Sequence, residues 1–375
     1  MKTKALTLSV LAALAFSAQA ADVTLYGVVD TGLSVQHRDY VGQSSSTVTR
    51  LASGQYIGSR WGIKGAEEVT PGVKVGFVLE SGFGSDTGSL GQDGRLFGRE
   101  ARLYVEGDRI GLLSFGRMGP IVGGNGPYAR FGHVANAFSC GWGDLGGSLQ
   151  VVSLGYEFMD NVVAYTTPKF GNFDASFQYS FNPNTLDKDL KDVAIEGKSS
   201  SERMASGVVR YQDDALMVAF GLESINQAHK NVAAYGIDDS LSYNLGASYK
   251  TDFAKFFFYG QYFKDYAKTS KTTMFIVPSG IDGYGINIGA DIPVMGGTLK
   301  VTLGRGDFEG SQKSELTMTT WQAASGYVYP LSKTTSLYGA AGMIRNSYSA
   351  AYEALKPAAT ENVYELMAGL VHKFW

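Results

Sequence analysis

The sequence predicts an all-β chain that closes into a transmembrane barrel of about 16 antiparallel strands. Three observations indicate this fold class: amphipathic strand patterns at both ends of the chain, a suitable composition, and an alternation of tight turns with longer polar links. The 375 residues include 48 Gly, 22 Tyr and 21 Phe but only 9 Pro. This composition favours strands, turns and aromatic bands over helices.

The first 20 residues have the features of a signal peptide. Lys2 and Lys4 precede an apolar run, and residues 18–20 supply the small side chains that a signal peptidase accepts. We therefore predict a signal peptide over residues 1–20 and a single barrel domain over residues 21–375. Beyond the leader, no apolar stretch approaches the roughly 20 residues that a transmembrane helix needs.

Strand patterns begin and end the mature chain. Over residues 22–35, Val and Leu side chains alternate with Thr, Tyr and Asp. Over residues 361–375, every second residue back from Phe374 is apolar, aromatic or polarisable, whereas the intervening positions include Lys373 and Glu365. We expect these two strands to pair and to close the barrel, with one face toward lipid and the other toward the lumen.

Tight links containing Gly, Pro or Asp alternate with longer polar segments. The predicted tight links are 68–72, 107–111, 168–172, 212–214, 293–297 and 330–333. The predicted long loops are 37–50, 84–94, 119–150, 182–200, 227–240, 269–281, 309–316 and 348–360. This layout is typical of outer-membrane barrels, which have short periplasmic turns and long extracellular loops.

Charge and residue usage exclude several other classes. The formal net charge of -3 argues against nucleic acid as a partner. Cys140 is the single cysteine, so no intrachain disulfide can form. The four histidines are scattered without metal-ligand spacing, so the sequence predicts neither a metal site nor a cofactor.

Seven segments resemble the general porins of Gram-negative outer membranes, in the branch found in beta-proteobacteria and neisserial species. These segments are 23–30, 58–67, 79–83, 94–99, 115–117, 161–171 and 371–374. The resemblance covers essentially the whole mature chain. It implies a homotrimer in the outer membrane, in contact with its lipid and lipopolysaccharide, that lets ions and small hydrophilic solutes diffuse passively. It also implies that the third long loop folds into the lumen and narrows the pore.

The same resemblance implies a constriction in which wall arginines face charges on the third loop. Arg60, Arg99 and Arg117 match the wall positions, and the alternation of residues independently places Arg60 on the polar face together with Lys64. On the third loop, the expected charged residues are Arg130 and Asp144. Because this loop offers one acid, the resemblance does not predict which ions the pore selects.

The sequence does not decide whether two of these arginines, Arg99 and Arg117, face the pore. By alternation, Arg99 lies on the same strand face as the apolar residues that follow it, whereas Glu100 and Arg102 lie on the opposite face. Either Arg99 faces the pore and the other two meet a neighbouring subunit, or Arg102 is the pore residue. Arg117 aligns with Phe115, so a β-bulge or a subunit contact is an alternative for it.

Three function classes follow. The leading class is a water-filled channel for passive diffusion, and a substrate-selective channel with an aromatic track is the alternative. A barrel enzyme would need a Ser/His or Asp/His constellation on neighbouring strands, and the sequence predicts none.

Overall fold

The computed structural model describes residues 23–122, 131, 135–138, 141–145, 151–152, 155–186, 196–268, 275–356 and 359–375. The predicted signal peptide, Arg130 and Cys140 lie outside these residues. The described chain consists mostly of β-strands, with two short helices, α1 (His229–Tyr235) and α2 (Ala350–Leu355). Among these residues, no helix is long and apolar enough to cross a bilayer.

Seventeen strands are present in the described part of the chain. The first nine are β1 (Thr24–Tyr40), β2 (Gln43–Ser53), β3 (Arg60–Thr70), β4 (Val73–Gly82), β5 (Glu100–Gly107), β6 (Gly111–Met118), β7 (Met159–Thr166), β8 (Phe173–Ser180) and β9 (Arg203–Gln212). The others are β10 (Leu216–Asn226), β11 (Ser240–Lys250), β12 (Lys255–Lys268), β13 (Ile276–Val294), β14 (Gly297–Gly310), β15 (Lys313–Pro330), β16 (Thr335–Tyr348) and β17 (Thr360–Phe374).

All strands pair antiparallel, and the sheet closes on itself. β17 pairs with β1, so that Phe374 lies opposite Gly27. β2 and β3 both pair with β1, one above the other, since Thr31 faces Ser53 and Val28 faces Arg60. β2 and β3 therefore share one position in the wall, which gives the described chain a closed barrel of 16 strand positions. The predicted fold class and the predicted closure by the terminal strands are confirmed.

The two faces of the barrel have opposite character. Large apolar side chains are exposed on the outer face; examples are Leu25, Leu33, Phe177, Val209, Ile288 and Leu370. Polar side chains on the inner face are almost fully buried; examples are Asp30, Ser34, Gln178, Asn244, Asn287 and Gln322. An apolar exterior around a polar interior is the arrangement that suits a bilayer outside and water inside.

Short links join the strands at one end of the barrel. They are residues 71–72, 108–110, 167–172, 213–215, 251–254, 295–296 and 331–334. The six predicted tight links all lie at this end. The link 251–254 was not predicted, although it contains Asp252.

The other end carries the longer links, and two of the predicted loops there are wrong. Segments 37–50 and 309–316 are mostly strand, with two-residue turns at 41–42 and 311–312. In the first segment, the Ser, Thr and Val residues of β2 continue the pairing with β1. Gly42, with φ of 65°, then supplies the left-handed conformation that the turn requires.

Two of the longer links pack on each other at this end. The ring of Tyr352, in α2, lies 4.5 Å from Phe275 and 5.2 Å from Tyr348. The Tyr352 hydroxyl accepts a hydrogen bond from the backbone N–H of Ile276 at 3.2 Å. Burial raises the pKa of the Tyr352 phenol above its ordinary value. These contacts attach α2 to the start of β13 and to the end of β16.

Candidate functional site

The link between β6 and β7, residues 119–158, contains the predicted third loop, and its described residues contact the inner face of the barrel. The Phe131 ring lies 5.6 Å from the ring of Tyr259 on β12. Lys300 on β14 donates a hydrogen bond from Nζ to the Ala137 carbonyl at 3.3 Å. Both wall residues point inward, so these parts of the link lie inside the barrel.

A second set of contacts joins the same link to β15, β16 and β17. Phe138, Trp142 and Leu145 are at most 1% exposed and pack against inward side chains of these strands. Gln322 on β15 donates from Nε2 to the Leu145 carbonyl at 3.1 Å. The link is therefore attached to the wall far from the strands at which it starts and ends.

Residues 54–59, between β2 and β3, also leave the wall. Ser53 lies opposite Thr31, and Arg60 lies opposite Val28. β1 covers this distance with three residues, so the six residues between Ser53 and Arg60 cannot all remain in the sheet. The Gln55 carbonyl accepts a hydrogen bond from the Trp142 backbone N–H. The Tyr56 ring lies 4.7 Å from Trp142 and 5.5 Å from Tyr338. Residues 54–59 thus meet the third-loop link inside the barrel.

Asp30 on β1 holds residues 54–59 in place. Its Oδ2 accepts hydrogen bonds from the backbone N–H groups of Tyr56 at 2.8 Å and Ile57 at 2.7 Å. Its Oδ1 accepts from the Tyr338 hydroxyl at 2.5 Å, and the residue is 0% exposed. A buried carboxylate needs such donors to offset its lost hydration. One side chain therefore joins β1, the inward segment and β16.

The predicted wall arginines Arg60 and Arg99 meet at a carboxylate next to residues 54–59, since Arg60 Nη1 donates to the Gly58 carbonyl at 2.9 Å. Glu80 on β4 is 7% exposed and accepts from Arg99 Nε at 2.7 Å through Oε1. Its Oε2 lies 3.5 Å from Arg60 Nε and accepts from the Tyr26 hydroxyl at 3.0 Å. Arg99 reaches this site because its backbone N–H bonds to the Glu80 carbonyl just before β5 begins. The structure thus brings Arg60 and Arg99 together.

The register also places Arg102 and Glu100 on the inner face. Glu100 lies opposite Glu80, and Arg102 lies opposite Val78, which shares the face of Lys64. Arg102 Nε donates to Glu100 Oε2 at 2.8 Å. Arg99 and Arg102, the two candidates for the second wall arginine, therefore both point into the lumen. Glu100 and Arg102 do not point toward a neighbouring subunit.

The inner wall of β3, β4 and β5 carries a surplus of positive charge. Around Glu80, its cations are Arg60, Lys64, Arg99 and Arg102, and the carboxylates beside them are Glu80 and Glu100, which leaves two positive charges in excess. Glu68, Lys74 and Glu106 lie on the same face nearer the short links and reduce the surplus of the whole inner wall to one positive charge. In a narrow, partly dehydrated passage, such charges act on ions more strongly than in bulk water.

Arg117 does not bind Glu80, although its Nε donates to the carbonyl of Gly98, next to Arg99, and both guanidinium groups lie over the ring of Phe158. Arg117 is opposite Ala101 and two residues from Phe115, which is 41% exposed on the outer face. The strand pairing shifts by one residue next to it, between Gly116 and Met118. Its Nη1 binds Asp160 Oδ1 at 2.5 Å. This shift in pairing agrees with a β-bulge, which was one of the two alternatives that the sequence left for Arg117.

The charged residues expected on the third loop are only partly described. Arg130 lies outside the described residues. Asp144 lies in a 3-10 turn, Gly143–Leu145, of which the backbone is described but the Asp144 side chain is not. This turn contacts Glu365 on β17, because a Cβ on Gly143 would lie 2.7 Å from Glu365 Oε2. Glu365 also accepts from the Ser34 hydroxyl at 2.6 Å.

Sequence reasoning missed the parts played by Glu80 and Asp30. The parity of each residue placed it on the polar face, so the signal for an inward position was present. Their partners were not visible, since Arg99 precedes a strand and Tyr338 is 308 residues away from Asp30. Only the folded barrel brings these residues together.

Comparisons with known proteins agree with this architecture. A family model described as Gram-negative porin matches residues 5–349. The chain is 30% identical over 378 residues to an outer membrane porin protein of Bordetella pertussis, covering 92% of this chain and 95% of that protein.

Solved structures show the same fold. The anion-selective porin from Comamonas acidovorans superposes with a TM-score of 0.65 at 22% identity, covering 94% of this chain and 100% of that one. The trimer form of OmpT from Vibrio cholerae superposes with a TM-score of 0.61 at 15% identity, covering 95% and 100%. The chain belongs to the Gram-negative porin family and is a porin of the outer membrane, a channel through which solutes diffuse passively.

Proposed function

We propose that this porin is a homotrimer whose channels carry ions and small hydrophilic solutes with a preference for anions. The barrel domain is proposed to start after a signal peptide at residues 1–20. The constriction is formed by the wall residues Arg60, Lys64, Arg99 and Arg102 on one side. Residues 54–59 adjoin these arginines, and the third-loop link narrows the lumen from its attachments on β12, β14 and β15.

The charge of the wall carries this proposal. Arg60 and Arg99 share the single carboxylate of Glu80, so this trio keeps one net positive charge. Arg102 is paired with Glu100, whereas Lys64 faces the ring of Tyr26 at 5.3 Å. Anions are attracted to such a surface and cations are repelled. The anion selectivity named for the Comamonas acidovorans protein is a property of that protein and is not needed for the argument.

Planar-bilayer recordings test the proposal. Purified protein should insert in steps of three equal conductances, as expected when three channels arrive together. In a salt gradient, the zero-current potential should have the sign of anion preference. Cross-linking in detergent should stop at a trimer. Single-step insertions with a monomeric cross-linking pattern would remove the trimer, and a cation-selective potential would remove the proposed role of the wall.

We propose no catalytic activity for the chain. Among the described residues, His37 does approach an acid, since its Nε2 lies 3.2 Å from Asp39 Oδ1, and its Nδ1 lies 2.7 Å from Thr47 Oγ1. All three lie on an exposed hairpin, and a nucleophile also needs a site that excludes water and stabilises an oxyanion. Hydrolysis of a nitrophenyl ester that His37→Ala abolishes would contradict this statement.

A further inference from the structure

Tyr26 on β1 lies across the inner wall at the level of the constriction. It is opposite Gly62 of β3, which is itself opposite Glu80 of β4. Its hydroxyl donates a hydrogen bond to Glu80 Oε2 at 3.0 Å, so the side chain extends from β1 over β3 to β4. The carboxylate that binds two arginines therefore has a third partner, which carries no charge.

The ring of Tyr26 reaches Glu80 because Gly62 has no side chain. A Cβ on Gly62 would lie 2.9 Å from both Cζ and Oη of Tyr26, which is too close for either atom. The ring therefore lies against the backbone of β3 at this position. Lys64, two residues further along the same face, holds its ammonium group 5.3 Å from the ring centroid. The bare backbone of Gly62 and this cation–π contact together hold the ring where its hydroxyl meets Glu80.

Tyr26 and Arg60 compete for one oxygen of Glu80. Oε2 lies 3.0 Å from the Tyr26 hydroxyl but 3.5 Å from Arg60 Nε, which is longer than an ordinary hydrogen bond. The other oxygen accepts from Arg99 Nε at 2.7 Å. Arg60 directs Nη1 to the Gly58 carbonyl at 2.9 Å instead. Because this carbonyl is uncharged, the charge of Arg60 is neutralised less completely than that of Arg99.

We propose that Tyr26 determines how strongly Arg60 acts on anions in the constriction. Its hydroxyl occupies the side of Oε2 that the Arg60 guanidinium would take in a closer ion pair with Glu80. A closer pair would cancel more of the positive potential that a passing anion meets. Tyr26 is thus a positioning residue that acts on ions through Arg60. The inference rests on the proposed function, in which Arg60 lines the constriction.

The zero-current potential of Tyr26→Phe in a KCl gradient tests this role. The phenyl ring keeps its contact with Lys64 but frees Oε2, so Arg60 should pair more closely with Glu80. We expect the chloride-to-potassium permeability ratio to fall about twofold, with unchanged single-channel conductance in about 1 M KCl, where the charges are screened. Loss of packing would instead widen the passage and raise the conductance. Gly62→Ala should also lower the ratio, because its Cβ displaces the hydroxyl from Glu80.

Tyr104→Phe is the matched control. The Tyr104 ring also lies on a glycine of the inner wall, Gly76, and next to a cation, since the Arg102 guanidinium is 4.9 Å from its centroid. Its hydroxyl lies over Gly76, four residues before Glu80 on β4. Tyr104→Phe therefore removes the same hydroxyl away from the pair of Arg60 and Glu80, and it should keep the wild-type permeability ratio.

A double-mutant cycle separates an effect through Arg60 from a direct one. In the Arg60→Gln background, Tyr26→Phe should change the permeability ratio no further, because the charge that it modulates is absent. An equal fall in both backgrounds would overturn the inference. An unchanged or raised ratio in Tyr26→Phe alone would overturn it too, as would an equal fall in Tyr104→Phe. Heat-modifiable migration on gels checks the fold of each variant.

The channel proposal is judged separately in the same recordings. A wild type without anion preference would remove the proposed function. The cycle of Tyr26→Phe and Arg60→Gln would still show whether the hydroxyl acts through Arg60. Anion preference in the wild type, with an unchanged permeability ratio in Tyr26→Phe, would remove the inference alone.

Discussion

Glu80 is the acid shared by the two arginines of the wall, and its charge offsets one of theirs. Glu80→Gln should raise the local positive potential while keeping the side-chain shape. The zero-current potential in a KCl gradient should therefore move further toward anion preference. The shift should shrink at high salt, because the Debye length falls from about 10 Å at 0.1 M to about 3 Å at 1 M.

Glu309→Gln is the control for this measurement. Glu309 is exposed and lies opposite Asp282 on the wall, near the turn at 311–312, so it loses the same charge far from Glu80. A shift of equal size in both variants would show that overall charge, and not the Arg60, Arg99 and Glu80 cluster, sets the potential.

The sequence predicted part of this cluster. Alternation placed Arg60 and Lys64 on the inner face because both lie within a regular strand. It could not place Arg99, since this residue precedes β5 and its backbone bonds to Glu80 before the regular alternation starts. Arg117 keeps the parity of Phe115, because it lies opposite Ala101 in an unbroken pairing with β5, and the one-residue shift affects the pairing of β6 with β7.

At the scale of elements, the segment 54–59 depends on Asp30. Asp30→Ala should leave the Tyr56 and Ile57 N–H groups and the Tyr338 hydroxyl without their acceptor. Hydrogen bonds to a charged group contribute about 1.5–3 kcal/mol each, so we expect a clear loss of thermal stability on heat-modifiability gels. We also expect larger and noisier single-channel currents, because the segment is released from the wall. Asp30→Asn, which keeps one acceptor oxygen, should fall between wild type and Asp30→Ala. Currents identical to wild type in Asp30→Ala would show that Asp30 does not position the segment.

The two faces of a strand should respond oppositely to the same charge. Phe177 on β8 is 55% exposed on the outer face, and Ser176 beside it is 1% exposed on the inner face. Phe177→Lys should reduce folding stability in lipid vesicles by about 2–4 kcal/mol near the midplane. Ser176→Lys should cost less, since its ammonium group can reach the water of the lumen. Equal losses in urea titrations of the two variants would mean that the faces are misassigned.

The sequence predicts that the strands exist and which face of each strand points outward, but it does not predict where the strands end. The alternation in residues 361–375 continues through almost the whole strand and identified β17. The loop predicted at 37–50 failed because polar β-formers such as Thr47 and Thr49 are as compatible with an exposed strand as with a loop. The break at 54–59 begins at Gly54, whose φ is 65°, but its length follows from the pairing of β2 and β3 with β1.

At the scale of the whole molecule, stability depends on closure of the ring. Deletion of residues 366–375 would remove most of the pairing of β17 with both β1 and β16. The remaining open edge would expose unpaired backbone groups to lipid. We expect this variant to yield no heat-modifiable species. Trp375, which is 72% exposed and follows the end of β17, is the control. Its deletion alone should leave the barrel intact, and a loss of folding there would give the terminal residue a part in assembly.

We propose that charges on the inner wall of β3, β4 and β5 set the ion selectivity of the channel. The zero-current potential of Arg60→Glu combined with Arg99→Glu, in a KCl gradient at two ionic strengths, tests this proposal. Among the six charged residues around Glu80, the double variant turns a surplus of two positive charges into a surplus of two negative ones, so the potential should change sign from anion to cation preference. Arg305→Glu should keep the wild-type potential, because Arg305 lies on the outer face of β14, two residues from the exposed Leu303. An unchanged potential in a folded, conducting double variant would contradict the claim and place the selectivity of this channel elsewhere.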